Sequence, residues 1–192
     1  MCGRYFVDED MWDKVRNDFP ELTETNPFRR SGDITPAMGA ASLTQGDEGV
    51  QVSSLIWGFP GFDKKLIINA RAEGIEDKPT FAESIQQRRC VLPASGFYEW
   101  NRHKEKVTFT DPDVPVIYLA GIFRPYGDED RFVIITREAN ESMLPVHDRM
   151  PLMIKADQVR DWIHDPAATE EFLHQALPQL EGKRDYEQLT LF

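Results

Sequence analysis

The alternation of apolar and polar residues along the chain predicts many short strands and few helices. Strand-like runs occupy seven segments, at residues 50–57, 66–70, 90–93, 97–100, 107–110, 116–123 and 132–136. The polar stretch 101–106 between two of these runs is typical of a hairpin connection. Short strands in quick succession, with helices near the ends of the chain, predict an α+β fold around a curved or barrel-like, mainly antiparallel sheet with flanking helices.

Helical periodicity is limited to short segments. Residues 8–19 carry apolar side chains four positions apart, with Asp8 as the candidate N-cap, and residues 20–36 are predicted to be irregular. Residues 80–83 match a capping box that opens a second helix. Two further helices are predicted at residues 157–163 and 169–177.

Length and composition indicate a single domain. The chain has 192 residues, 41% of them hydrophobic, which is enough for one well-buried core. We expect the domain to cover residues 1–180, and residues 181–192 to form a charged spacer and an apolar terminal peptide. Two cysteines, Cys2 and Cys90, make a disulfide framework unexpected and favour a reducing cytoplasm. No apolar run approaches the roughly 18–20 residues that span a bilayer, and the first ten residues do not fit a signal peptide.

The acidity of the chain limits its partners. A net charge of −11 argues against a general nucleic-acid coat, because the affinity of such proteins comes mainly from phosphate neutralisation. A small basic cleft within an acidic shell is compatible with it, since arginines stand near the polar motifs described below. These arginines are Arg29, Arg30, Arg71, Arg88, Arg89 and Arg149.

The residue that follows the initiator methionine offers unusual chemistry. Once Met1 is removed, Cys2 carries an α-amine and a thiol on adjacent carbons, with reference pKa values of about 7.7–8.0 and 8.5. Both groups are partly nucleophilic near neutrality. The pair fits two reactions, hydrolysis by an N-terminal nucleophile and ring closure on an aldehyde; an incidental, packed thiol is the structural alternative.

Three other predicted strand or loop segments carry polar residues that could take part in catalysis or binding. Asn69, Arg71 and Glu73 lie on one face of an extended run, Glu99 is held between two aromatic residues, and His147 stands in a proline-flanked loop. A carboxyl group between aromatic rings suits proton transfer. The four histidines lack ligand spacing and there is no Cys-x-x-Cys pair, so we expect no metal.

These motifs together resemble the SOS response-associated peptidase (SRAP) family. The resemblance rests on residues 1–4 (MCGR), 68–73 (INARAE), 89–94 (RCVLPA), 96–100 (GFYEW) and 147–151 (HDRMP), and it extends over residues 1 to about 165. It implies a single α+β domain that binds single-stranded DNA and forms a thiazolidine crosslink with an abasic site, without a cofactor. The family name also implies peptidase activity, which here amounts to the removal of Met1.

The resemblance implies roles for individual residues. Cys2 would form the covalent bond, Asn69 would orient its amine and the sugar, Glu99 would shuttle protons, and His147 would help to open the sugar ring. DNA-facing roles are expected for six residues, Arg4, Trp57, Phe62, Arg71, Thr136 and Arg149. The chain departs from the family at Asp33, where the family often has asparagine, and an acid there would repel phosphates. We expect a cytoplasmic, nucleoid-associated monomer.

The terminal residues 188–192 (QLTLF) resemble the short peptide by which bacterial repair proteins dock on the sliding clamp. Gln188 would supply hydrogen bonds, and Leu189, Leu191 and Phe192 would anchor in an apolar groove. A terminal strand that pairs with the protein's own sheet is the alternative. Two rival functions also stay open at this point: an N-terminal-nucleophile glutamine amidotransferase, and a non-catalytic DNA-binding protein recruited by a clamp.

Overall fold

The computed structural model describes residues 2–22, 31–47 and 49–184. Its strands are β1 Tyr5–Val7, β2 Gly32–Ile34, β3 Gly39–Gly46, β4 Gly49–Trp57, β5 Phe59–Pro60, β6 Leu66–Ile67, β7 Asn69–Arg71, β8 Arg89–Ala94, β9 Gly96–Trp100, β10 Lys106–Thr110, β11 Ile117–Tyr126, β12 Glu129–Glu138, β13 Arg149–Pro151, β14 Met153–Ile154 and β15 Glu181–Arg184. Its helices are α1 Met11–Asp18, α2 Ala82–Gln87, α3 Val159–His164 and α4 Thr169–His174. No helix in the described ranges has the length and apolar character needed to cross a membrane.

Five strands close into a barrel. Strands β12, β4, β3, β8 and β11 pair in that order, and β11 pairs back onto β12. All of these pairings are antiparallel except that of β4 with β12. Strands β7 and β13 add to β12, and β14 adds to β11. The predicted barrel-like, mainly antiparallel α+β fold is confirmed.

A second sheet carries the amino-terminal strand in its interior. Its order is β15-β10-β9-β1-β2, and all of its pairings are antiparallel. Phe97 and Phe109 stack at 5.4 Å on its buried face. Gly96 allows the strands to approach closely, because an added Cβ would lie 2.5 Å from the Phe109 carbonyl oxygen and 2.7 Å from the Phe6 ring. The sheet therefore depends on glycine at this position of β9.

Most strand predictions are confirmed, whereas several boundaries were wrong. The run 66–70 is divided between β6 and β7, and β2 lies within the stretch that was predicted to be irregular. Helix α1 begins at Met11 because residue 8 belongs to the preceding turn, and no side chain caps α2 at residues 80–83. Residues 181–184, assigned to a spacer, form β15 and pair with β10.

The buried guanidinium of Arg89 ties two helices to the barrel. Arg89 begins β8 and is only 3% exposed. Its N–H groups donate to four backbone carbonyls, those of Ile85 and Gln86 in α2 and of Trp162 and Ile163 in α3. Carbonyls in the last turn of a helix lack a partner within the helix. A single side chain thus satisfies the ends of both helices.

Replacing Arg89 with methionine should lower the free energy of unfolding by about 3 kcal/mol, because buried carbonyls lose their donor. The matched control is Arg88→Met, since Arg88 contacts Glu83 at 2.9 Å in a partly exposed pair. Such pairs contribute at most about 1 kcal/mol. Denaturant titration followed by circular dichroism measures both variants. Equal losses would contradict this role for Arg89.

Candidate active site

The second sheet holds Cys2 in the interior of the protein. Strand β1 pairs with β2 on one side and β9 on the other, and the Tyr98 amide donates to the Arg4 carbonyl at 3.0 Å. The pairing therefore continues beyond Tyr5 toward Cys2. The Cys2 side chain is fully buried, and its thiol lies 4.0 Å from the Arg4 carbonyl oxygen. The residue that follows Met1 is thus packed like a core residue.

Asn69 is the first contact of Cys2 from the barrel. Its side-chain Nδ2 donates to the Cys2 carbonyl at 3.0 Å, which fixes the orientation of the amide group. Its Oδ1 is buried and has no hydrogen-bond partner among the residues that the structure describes. A buried amide oxygen without a donor is uncommon in proteins. Asn69 therefore presents an available acceptor beside Cys2.

Glu99, on the neighbouring strand β9, changes the pKa of the Cys2 thiol. Glu99 is 5% exposed and accepts a hydrogen bond from the Trp100 amide at 3.3 Å. Burial and the Glu99 carboxylate raise the pKa of the Cys2 thiol to about 12. The thiol is consequently protonated at neutral pH. The structure thus brings Cys2, Asn69 and Glu99 together, as the sequence predicts.

His147 lies in the turn that leads into β13. Its Nδ1 accepts a hydrogen bond from the Arg149 amide at 2.9 Å, which leaves the proton of the neutral ring on Nε2. The same Nδ1 is 3.0 Å from a carboxylate oxygen of Asp148, a contact that becomes an ion pair only when the ring is protonated. Because the Asp148 side chain is 82% exposed, the backbone contact holds the ring more firmly.

Arg149 connects the His147 turn to the segment that follows Asn69. Its guanidinium binds both carboxylate oxygens of Glu73, at 2.9 and 2.7 Å, and donates to the Thr136 carbonyl at 2.6 Å. The hydrogen bonds from Arg149 lower the pKa of Glu73 to about 2. Arg149 therefore connects three segments of the site: strand β7, the turn at Glu73 and the turn at His147.

Three of the residues with expected DNA-facing roles are buried in the structure. Trp57 and Thr136 are fully buried, and Arg149 is 8% exposed with its guanidinium bound to Glu73. Trp57 packs against Tyr5 and Phe132, and its indole N–H donates to the Ile68 carbonyl at 2.9 Å. These side chains support the strands that carry the site, and their roles toward DNA stay predictions.

The other three predicted DNA contacts lie at the surface. Arg71 is exposed at the end of β7, and Phe62, 91% exposed, stands in the connection between β5 and β6. Arg4 is half-buried, and its guanidinium lies 3.3 Å from the Asp33 carboxylate. The unusual acid at Asp33 therefore partly neutralises Arg4, a contact that sequence reasoning missed although the departure from the family pointed to it.

The terminal peptide is not among the residues that the structure describes. Gln188, Leu189, Leu191 and Phe192 lie outside the described residues, so the proposed clamp peptide stays a prediction. In the described ranges no group of three or more His, Cys, Asp or Glu side chains could hold a metal ion.

A five-stranded barrel beside a second sheet, with Cys2 buried next to an asparagine of one and a glutamate of the other, defines a class of protein. The family model of SOS response associated peptidase (SRAP) matches residues 1–189, and the chain belongs to this family.

Named relatives support the same placement. The chain is 28% identical over 195 residues to the abasic site processing protein YoaM of Bacillus subtilis, covering 92% of this chain and 85% of that protein. It is 28% identical over 187 residues to the abasic site processing protein YedK of Escherichia coli, covering 89% and 83%. A crystal structure of a Bordetella bronchiseptica protein shares the fold, with a TM-score of 0.80, 21% identity, and coverage of 95% and 99%.

The Glu73–Arg149 pair should make stability depend on pH in the acid range. The Glu73 pKa is about 2 in the folded protein against an ordinary value of 4.5. The stabilisation is present above pH 4.5 and is lost as the pH falls toward 2, where the folded carboxylate takes up its proton. Glu73→Gln should therefore lower the Tm at neutral pH, and the difference from wild type should vanish near pH 2.

The matched control is Glu141→Gln, which removes a carboxylate from an exposed position. Thermal unfolding is followed from pH 7 to pH 2 for wild type and both variants. A Tm difference for Glu73→Gln that stays constant over this range would show that the pair does not titrate as described.

Proposed function

We propose that this protein recognises abasic sites in single-stranded DNA and links to them covalently through Cys2 after Met1 is removed. The observation that carries the proposal is the arrangement at Asn69, which holds the Cys2 carbonyl while its buried Oδ1 has no partner in the described part of the chain. An acceptor in that position suits the α-amine that removal of Met1 would free. The named relatives, both abasic site processing proteins, support the choice of substrate.

The proposed reaction uses groups that Cys2 and the lesion supply. The amine attacks the aldehyde of the opened deoxyribose, and loss of one water leaves an imine. The thiol then adds across the C=N bond, so that a C–S bond forms and nitrogen gains the proton that sulfur loses. A five-membered thiazolidine ring results. One water is released overall, nothing is oxidised or reduced, and no cofactor takes part.

Glu99 is the proposed proton carrier for this sequence. Because the thiol pKa is about 12, the amine, with a reference pKa of about 7.7–8.0, is the first nucleophile. Ring closure then needs a base to accept the thiol proton. We assign this role to the buried Glu99 carboxylate, which raises the pKa of the thiol and would return the proton to nitrogen; the same path in reverse would open the ring.

His147 is the proposed acid for opening the sugar. The closed form of an abasic deoxyribose must open before its aldehyde can react. The Arg149 amide donates to Nδ1, so the proton of the neutral ring lies on Nε2, and we assign to it the donation to the sugar oxygen. Arg71 would bind the phosphate beside the lesion, and Phe62 would stack on a base. Arg4 would contribute less, because Asp33 competes for it.

The first experiment is a denaturing gel of Met1-free protein with single-stranded DNA that carries one abasic site. Wild type should give a covalent band, with an intact mass equal to protein plus DNA minus one water, and Cys2→Ala should give none. The matched control Cys90→Ala removes the other cysteine, which is also fully buried, and should retain the band.

The absence of a band with verified Met1-free wild type would overturn the proposal. Glutamine hydrolysis would then be assayed, because an N-terminal-nucleophile amidotransferase is the rival use of Cys2. A band that persists in Cys2→Ala would point to another linking residue.

Asn69→Ala should slow crosslinking at least about tenfold while leaving the affinity for undamaged single-stranded DNA unchanged, because the amine loses its orienting acceptor. The rate is measured from the time course of the band, and affinity from fluorescence anisotropy. Asn17→Ala, on α1, is the matched control. A parallel loss of affinity in Asn69→Ala would assign Asn69 to DNA binding rather than to orientation of the amine.

A further inference from the structure

The second sheet has an outer face that the proposed chemistry does not use. On β9 and β10, Phe97, Glu99, Val107 and Phe109 point inward and are buried, so the alternate side chains point outward. The outer face is defined here by six side chains, Arg4, Phe6, Tyr98, Trp100, Lys106 and Lys183. Apart from Arg4, which already has a minor part in binding phosphate at the lesion, none of them has a role in the proposed function.

Aromatic rings and cations alternate across the outer face. The Phe6 and Tyr98 rings stack at 5.1 Å. The Lys106 ammonium lies 4.6 Å from the centre of the Tyr98 ring, and the Arg4 guanidinium lies 5.6 Å from that of Trp100. Trp100 is 37% exposed, whereas a tryptophan is usually well buried. Rings flanked by cations are the composition with which proteins bind single-stranded nucleic acid.

The register places these groups in two rows. Lys106 lies opposite Trp100, and Thr108 lies opposite Tyr98. Lys183 continues the second row on β15, opposite Thr108. Neighbouring strands are about 4.8 Å apart, so the cations and rings of adjacent strands lie within reach of one nucleotide.

The charge around this face is the opposite of that of the whole chain. Among the residues that the structure describes, the outer face and the hairpin beside it carry five cations, Arg4, Arg102, Lys104, Lys106 and Lys183. Three carboxylates of the same part of the chain accompany them: Asp33 near Arg4, Glu105 in the hairpin, and Glu181, 3.5 Å from Lys183. A locally positive face on a chain of net charge −11 concentrates phosphates at one place.

The outer face is continuous with the end of the sheet where Cys2 lies. Tyr5 is opposite Phe97 in the antiparallel pairing of β1 with β9, so Cys2 reaches the level of Trp100 and Lys106. A strand of DNA whose lesion lies at Cys2 can therefore pass from the site to the outer face around this end.

We propose that the outer face binds the stretch of single-stranded DNA that flanks the lesion. Bases stack on Tyr98 and Trp100, and phosphates pair with Lys106 and Lys183. This proposal rests on the proposed function for the identity of the ligand. It adds a non-covalent binding surface, away from the reacting groups, that acts on undamaged DNA as well.

The first test is the affinity for a fluorescent thymidine oligomer of about 20 nucleotides without an abasic site, measured by anisotropy at several salt concentrations. The double variant Lys106→Gln with Lys183→Gln should raise the Kd about tenfold at low salt. It should also lower the slope of log Kd against log salt by about 1.4, the value for two lost phosphate contacts on a single strand. The control Lys155→Gln with Arg160→Gln, which removes the same charge near α3, should leave both unchanged.

A second test measures the contribution of the aromatic rings to DNA binding. Trp100 is 37% exposed, whereas the other tryptophans, Trp12, Trp57 and Trp162, are at most 3% exposed. DNA that stacks on Trp100 should therefore quench the tryptophan fluorescence of the protein. The quenching should disappear in Trp100→Phe. Tyr98→Leu should weaken binding several-fold, and Tyr98→Phe should restore it because stacking needs only the ring. Thermal unfolding confirms that each variant is folded.

Failure of this proposal differs from failure of the proposed function. Unchanged affinity in the lysine variant, with normal crosslinking at Cys2, would overturn the outer face alone. Weakened affinity for the oligomer without any crosslink would support the outer face and overturn the covalent chemistry. If the oligomer does not bind, and an acidic peptide binds to the same lysines instead, the face belongs to a protein partner and the proposal is wrong.

Discussion

The hydrogen bond from Asn69 to the Cys2 carbonyl is the contact on which the candidate site depends. Asn69 belongs to a strand that pairs with the barrel, and Cys2 precedes β1 of the second sheet, so this 3.0 Å bond joins the two sheets at the candidate site. Trp57 supports both partners, because its indole binds the Ile68 carbonyl and its ring packs on Tyr5. An N-terminus is ordinarily free to fray. Here the packing around Cys2 fixes the position of a residue near the N-terminus.

Burial at this site has consequences for the proposed chemistry as well as for stability. A buried thiol with a raised pKa is a poor nucleophile alone, and a buried asparagine oxygen with no donor among the described residues costs free energy. Both features are unfavourable for a purely structural role. They become useful when an amine arrives beside the oxygen and a carboxylate beside the thiol controls its proton. The local conflict with ordinary packing rules is therefore the strongest structural sign of function.

The extent to which the sequence predicts this structure differs between core and edge. Apolar runs located the barrel strands β4, β8, β11 and β12, but they did not locate the central strand β3, whose sequence GAASLTQG is mostly small and polar. They also missed β2 and β15, whose residues are largely exposed and which are held by backbone pairing at the edges of the second sheet. Motifs singled out Cys2, Asn69 and Glu99, but the burial of Trp57 and Thr136 follows from distant strand pairing. No local pattern reports whether an aromatic or polar side chain in a strand faces the core or the solvent.

Net charge and DNA binding are compatible when binding is local and the bond is covalent. A protein that relied on phosphate contacts alone would need many cations, and an acidic shell would oppose them. Under the proposed function, the covalent link would supply lifetime by itself, so non-covalent contacts would need only to bring the strand to Cys2 and orient it. A few exposed cations, such as Arg71 and those near Trp100, would be sufficient for that task. The acidic remainder of the surface would then limit attachment to places where a reactive sugar can reach the site.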